Sequence, residues 1–162
     1  METRKSTDAE LTSDEKDVLT RFESAGWFVN QVFTEGNAPD FAYTFGFYET
    51  FQHPEVIMFG LPLDTMLTIL NEVGKLLGQG IRYAAGDRTD DLLDGYPCEF
   101  RHVDPSHYKE TLTWTGWFYK GAPFPALQLF WPDRAGHFPW DSRCEEGIRS
   151  AQPDLGRALT LN

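Results

Sequence analysis

Cysteine is nearly absent from this chain, and the scarcity excludes two kinds of architecture. Cys98 and Cys144 are the only cysteines, too few and too widely separated for a disulfide framework or a paired-thiol zinc site. Both are expected to be reduced. Long hydrophobic runs are also lacking. Pro54, Glu55 and Pro62 bracket the most apolar stretch, Val56 to Leu61, far short of the ~20 apolar residues that cross a bilayer. Met1 to Asp17 is polar and mixed in charge, without the apolar centre of an export signal. A cytoplasmic protein with no membrane partner is expected. Positive charge is in deficit as well: 14 Lys and Arg stand against 25 Asp and Glu, a net charge of -11. Such a surface repels phosphate backbones, which binding proteins neutralise with cations, so no nucleic acid partner is expected. The same charge favours plain solubility, a basic protein partner or a cationic ligand.

Familiar catalytic signatures are missing too. Gly74 and Lys75 are followed by Leu76, where a phosphate loop needs Ser or Thr, and Gly78 and Gly80 lack the third glycine of a dinucleotide fingerprint. No serine sits in a nucleophile elbow. Cys98 and His102 lie four residues apart on a predicted strand, about 13 Å, too far to share a proton. The histidines His53, His102, His107 and His137 form no ligand pair at helical spacing, so no metal site and no cofactor are expected. Asp87, Asp90, Asp91 and Asp94 would share one face of a helix. Their spacing matches no calcium loop, and they read as the acidic first turn of a helix. Whether this 87–94 segment takes up a cation stays open.

What the sequence does have is core material. Hydrophobic residues make up 41% and aromatics 15% of 162 residues, enough for one domain that buries roughly 70% of its unfolded surface. A polar tail at 1–13 precedes a single domain over 14–162. Ser13, Asp14 and Glu15 form a helix start, and Val18, Leu19, Phe22 and Ala25 its apolar stripe, closed by Gly26. Trp27 to Phe33 alternates like a strand. Phe41, Tyr43, Phe45 and Phe47 recur at every second residue, the period of a pleated strand with a row of rings on one face. The unbroken Val56 to Leu61 predicts a strand buried on both faces. Asp64 is read as the cap of a helix carrying Met66, Leu67, Leu70, Val73, Leu76 and Leu77. A strand is predicted from Tyr96 to Asp104, one helix from Pro105 to Lys120, and a last strand from Pro123 to Trp131. The order predicts an α+β fold: an antiparallel or mixed sheet with two or three helices packed mainly on one face.

Two segments join ring-lined strands to polar loops, Phe41 to Glu55 and Gln128 to Trp140. Gly46 inside a strand implies a bulge or a close approach. Gln128 sits between Leu127 and Leu129 in a buried strand, so its amide must find partners. Tyr43, Thr44, Gln128, Trp131, Asp133, Arg134 and Trp140 are therefore the candidate ligand-binding residues, with rings for a planar or cationic group. A structural alternative packs Trp131 on Trp140 across the Pro132 to Gly136 turn. His53 and Glu55 flank Pro54 and are the candidate acid and base, or else anchor their loop.

Several motifs, taken in order, resemble a known family. They are Phe41-Ala42-Tyr43-Thr44-Phe45-Gly46-Phe47, His53-Pro54-Glu55, Gly60-Leu61-Pro62, Asp91-Leu92-Leu93-Asp94-Gly95-Tyr96, and Trp131-Pro132-Asp133 with Gly136, Phe138, Pro139 and Trp140. Together they span roughly Gly26 to Trp140 and resemble the bacterial family called domain of unknown function 4262. The resemblance implies a small bacterial cytosolic domain and carries over no catalytic residue. Three readings stay open: a module binding a small molecule or peptide, a small enzyme using His53 and Glu55, and an acidic inhibitor or immunity protein for a basic partner.

Overall fold

The computed structural model describes residues 11–159; of the polar tail expected at 1–13, residues 1–10 lie outside the described residues. Helix α1 runs Ser13–Ala25, and its cap is Thr12 rather than Ser13. Thr12 Oγ1 accepts the Glu15 N–H at 3.1 Å while Glu15 returns a carboxylate to the Thr12 N–H at 2.8 Å. This capping box starts one residue before the position read from the sequence.

Strand β1 is Phe28–Val32 and β2 is Phe41–Phe45, paired antiparallel. The row of rings stops short of Phe47, because Gly46 takes φ 103 and turns the chain into a short helix α2, Phe47–Phe51. A Cβ on Gly46 would lie 2.8 Å from both the Phe22 ring and the Trp27 backbone, so the glycine marks a close approach of backbone. Strand β3, Glu55–Phe59, is buried at every position, as its continuous apolar run predicts.

Helix α3 spans Leu63–Gly78 and buries Met66, Ile69, Leu70, Val73 and Leu77, each worth roughly 1.5–3 kcal/mol when fully withdrawn from water. Asp64 lies in its first turn, and Pro62 occupies the cap. The acidic stretch is no helix. Arg88–Leu93 is strand β4, joined to β5, Tyr96–His102, through Asp94-Gly95. An Asp-Gly pair between two strand-like runs is a hairpin signal that outweighs the acidic first-turn pattern, so the four aspartates do not share a helical face.

The helix expected over Pro105–Lys120 is broken into a 3-10 turn at Pro105–His107, α4 at Tyr108–Thr111 and α5 at Thr113–Phe118. Leu112 interrupts it with φ -101 and ψ 51 and a wholly buried side chain. Strand β6, Ala126–Phe130, follows, and then a long irregular segment that carries α6, Glu146–Ser150.

The six strands form one sheet in the order β1-β2-β3-β6-β5-β4. It consists of two antiparallel three-stranded meanders, with α3 carrying the chain from one to the other. They meet where β3 and β6 run side by side in parallel, Val56 facing Leu127. The mixed sheet fits the α+β class, but the helices occupy both faces. Ala42, Val56, Met58, Leu127 and Leu129 pack with α3. Tyr43, Phe45, Ile57 and Phe59 pack with Val18 of α1 and Phe118 of α5. Strands as apolar as β3 and β6 need cover on both sides, which one layer of helices cannot supply. Among the described residues no helix is long and apolar enough to cross a membrane.

Candidate functional site

The two parallel strands direct their carboxyl ends to the same place. The chain leaves β3 at Gly60 with φ 90, and a Cβ there would stand 2.7 Å from the Ala151 carbonyl and 3.2 Å from the Trp131 ring. Only glycine lets the two strand ends and α6 approach so closely. Trp131 Nε1–H donates to the Phe59 carbonyl at 2.7 Å, which ties the end of β6 to the end of β3. Gln152 closes the arrangement from the far side: its Oε1 accepts the Trp131 N–H at 3.0 Å and its Nε2 donates to the Trp131 carbonyl at 2.9 Å.

Asp133 then shapes the loop beyond β6. One carboxylate oxygen accepts the N–H groups of Ala135 and His137 at 3.0 and 2.9 Å, and the other accepts the Glu145 N–H at 3.0 Å. These backbone donors, His137 foremost, hold the Asp133 carboxyl below the usual carboxylate range. Asp133 is thus an organiser of the loop with no oxygen left idle.

Between these clamps lies an open hollow of about 610 Å³, within the size range of small-molecule sites. Its apolar wall comes from Leu61 after β3, Leu93 and Tyr96 of the β4–β5 hairpin, Trp131 and Ile148 of α6. Asp94, Arg134 and Glu145, all exposed, supply the charge around it. Three of the segments that carry the family resemblance, Gly60 to Pro62, Asp91 to Tyr96 and Trp131 to Asp133, converge here.

The residues singled out from the sequence are not all brought together. Trp131, Asp133 and Arg134 share the hollow. Tyr43 and Thr44 do not line it. The Tyr43 hydroxyl accepts from Asn30 Nδ2 and the Trp114 N–H, each at 2.9 Å, under α5. Thr44 donates its hydroxyl to Glu55 at 2.7 Å and accepts the Val56 N–H at 3.0 Å. Gln128 has found its partners within the chain: Nε2 donates to the Pro153 carbonyl at 2.7 Å and Oε1 accepts the Leu155 N–H at 3.0 Å. It fastens the C-terminal segment over the sheet. Trp140 stacks on Phe138 with centroids 5.0 Å apart, meets Phe130 edge-on and carries the Arg101 guanidinium at 3.4 Å. The expected single wall of Tyr43, Trp131 and Trp140 is therefore not formed, nor do Trp131 and Trp140 pack on each other.

His53 and Glu55 face different partners. The His53 ring lies within hydrogen-bonding distance of the Pro54 carbonyl through Nδ1, at 2.8 Å, and Nε2 accepts the Tyr83 N–H at 3.1 Å. Burial pushes its pKa down from 6.5. Glu55 is fully buried. Its carboxyl accepts from the Thr44 hydroxyl, from the N–H groups of Gly46, Phe47 and Tyr48 at 3.0–3.1 Å, and from the Tyr119 hydroxyl. Tyr119 in turn accepts the N–H groups of Gly46 and Glu49. Burial pushes the Glu55 carboxyl up to about 7 against the pull of these donors. The carboxyl fastens the start of α2 to the sheet and does not line the hollow. Cys98 is wholly buried, with its thiol pushed up to about 12 by burial, and its reactivity as a nucleophile is correspondingly suppressed.

Sequence reasoning missed Leu61, Leu93, Asp94, Tyr96, Glu145 and Ile148 as lining residues. The Asp94-Gly95 hairpin signal was there to be read, and it would have placed Leu93 and Tyr96 on adjacent strands. Nothing in the weakly patterned end of the chain announces Ile148. The family model described as a domain of unknown function, DUF4262, matches residues 21–145. Neither the curated proteins nor the solved structures provide a match.

Proposed function

The chain belongs to the DUF4262 family, and from that premise we propose that it is a binding module whose site is the hollow at the carboxyl ends of β3 and β6. The observation that carries the reading is the convergence of four chain segments on one apolar-walled hollow whose rim is charged. In open α/β sheets ligands favour the carboxyl ends of parallel strands, where side chains from separate loops meet, and the parallel β3–β6 pair offers the same kind of junction. Leu61, Leu93, Tyr96, Trp131 and Ile148 suit the body of a small organic molecule. Asp94 and Glu145 outnumber Arg134 at the rim, in a chain whose net charge is already -11. The ligand class is therefore an amphipathic molecule bearing an amine or another cationic group.

No turnover is needed. The enzyme reading through His53 and Glu55 draws no support from their geometry, since the polar atoms of both side chains are engaged within the fold. The test is a thermal-shift screen of hydrophobic amines and carboxylates against the native chain and Ile148→Glu. Ile148 is only half-buried, so the fold should tolerate the change. Amines are expected to raise the melting temperature of the native chain and to lose that effect in the variant. Equal shifts in both proteins, or shifts with carboxylates alone, would count against the site.

A further inference from the structure

The two edges of the sheet are treated differently. The β4 edge carries exposed Asp90 and Asp91 and an irregular register between Thr89 and Leu93, the usual devices that stop an edge from pairing. The β1 edge has neither. From Trp27 to Phe33 the sequence is Trp-Phe-Val-Asn-Gln-Val-Phe, without a single charge in a strongly acidic chain. One strand end also exposes a large apolar side chain, Phe33, at 75%.

A recess accompanies that exposed ring. Along β1 runs a groove of about 470 Å³, lined on the α3 side by Trp27, Leu67 and Asn71 and on the α1 side by Arg21 and Ala25. Trp27 is fixed there, its Nε1–H donating to Asn71 Oδ1 at 2.9 Å. Val29 and Gln31 fall on the α3 side together with Trp27, and continuing the alternation one residue past the strand puts Phe33 there as well. The projecting ring and the recess thus lie on the same face at opposite ends of one strand. An antiparallel pairing of β1 with itself about a two-fold axis at Asn30 sets Val29 against Gln31, and Trp27 against Phe33 of the second copy. Each Phe33 then enters the other copy's groove beside Leu67, and both contacts are identical, as a closed two-fold interface requires.

We propose that this chain forms a homodimer by β1–β1 pairing, with Phe33 of each copy seated against Trp27 and Leu67 of the other. The strand itself carries no charge, so two chains of net charge -11 meet less repulsion along it than along the acidic β4 edge.

Sedimentation velocity of the full chain over a range of concentrations tests the proposal, together with two kinds of variant. The native chain is expected to sediment as a dimer, and Phe33→Asp as a monomer with unchanged circular dichroism and a melting midpoint that no longer depends on concentration, since Phe33 is exposed in the single chain. Position-specific cross-linking reports the register. Asn30→Cys faces its own copy at about 4.5–5.5 Å between Cα atoms, within reach of a disulfide. Val32→Cys is separated from its copy by about 13 Å of strand. Oxidised Asn30→Cys should run as a covalent dimer and Val32→Cys as a monomer. The native cysteines are buried and will not confuse the result. A native chain that stays monomeric at every concentration overturns the proposal. So does a dimer that survives Phe33→Asp, or equal cross-linking at positions 30 and 32.

Discussion

Replacing Glu55 with Gln isolates the most unusual group in the protein. The carboxyl titrates at about 7 in the fold against 4.5 in an open chain, so between those values the folded state binds the proton more tightly than the unfolded state. More bound protons in the folded state mean that stability falls as pH rises. The contribution is fully present below pH 4.5 and is lost as pH climbs through about 7. At about 1.4 kcal/mol for each tenfold difference in proton affinity, the gap amounts to about 3 kcal/mol. Glutamine does not titrate, and it also turns an amide nitrogen toward donors. Its oxygen can serve Thr44 and Phe47, while the Tyr48 N–H loses its acceptor and Gly46 keeps only the Tyr119 hydroxyl. The unpaired Tyr48 donor costs about 1–3 kcal/mol. Urea unfolding of both proteins at intervals from pH 4.5 to 7.5 measures the effect. The native chain's advantage over Glu55→Gln should shrink by about 3 kcal/mol across that range. An advantage that stays constant, or grows with pH, would refute the reasoning and mean that the five donors hold the carboxyl ionised throughout.

Three further outcomes are expected. His53, whose pKa burial pushes below 6.5, gives stability that is present above pH 6.5 and lost as pH falls through its lowered value. Thermal midpoints of His53→Gln should therefore drop less on acidification than those of the native chain. Gln128→Leu leaves the Pro153 carbonyl and the Leu155 N–H unpaired. At about 1–3 kcal/mol each, partly offset by the apolar side chain, the loss should be about 2–4 kcal/mol, with faster hydrogen exchange at Leu155. Gly74→Ala would put a Cβ 2.4 Å from the Trp27 ring, push the indole away from Asn71 and cost about 1–3 kcal/mol despite better helix propensity. Urea unfolding followed by tryptophan emission reads this directly.

Periodicity made the larger elements legible. The ring-bearing alternation of β2, the unbroken apolar run of β3 and the stripe of α3 each bury enough area to announce themselves. Where long-range contacts decide, local pattern fails. Phe47 continues the alternation of β2 yet begins a helix, because Gly46 turns and the Glu55 carboxyl, eight residues on from Phe47, captures the freed N–H groups. The helix expected through Leu112 breaks because that side chain is drawn wholly into the core beneath it.

The candidate site shows the same division. A buried amide at Gln128 was rightly expected to need partners, but those partners are backbone groups of Pro153 and Leu155, in a segment without pattern. Trp131, Asp133 and Arg134 do border a hollow, and its other walls come from a hairpin and from α6, which only the folded chain brings near. Tyr43 and Trp140 look like ligand-facing rings in sequence. One turned to the α5 side of the sheet, and the other was taken up by Phe138 and Arg101.

The most direct test follows the methyl groups of Leu61, Leu93 and Ile148 by NMR while a hydrophobic amine, and separately its carboxylate counterpart, is titrated into the native chain. Binding in the hollow predicts concerted shifts of these three residues with the amine, while the methyls of Val18 and Leu112 on the opposite face stay fixed. Methyl signals in the hollow that remain still with every compound, or that move no more than those of the opposite face, would contradict it.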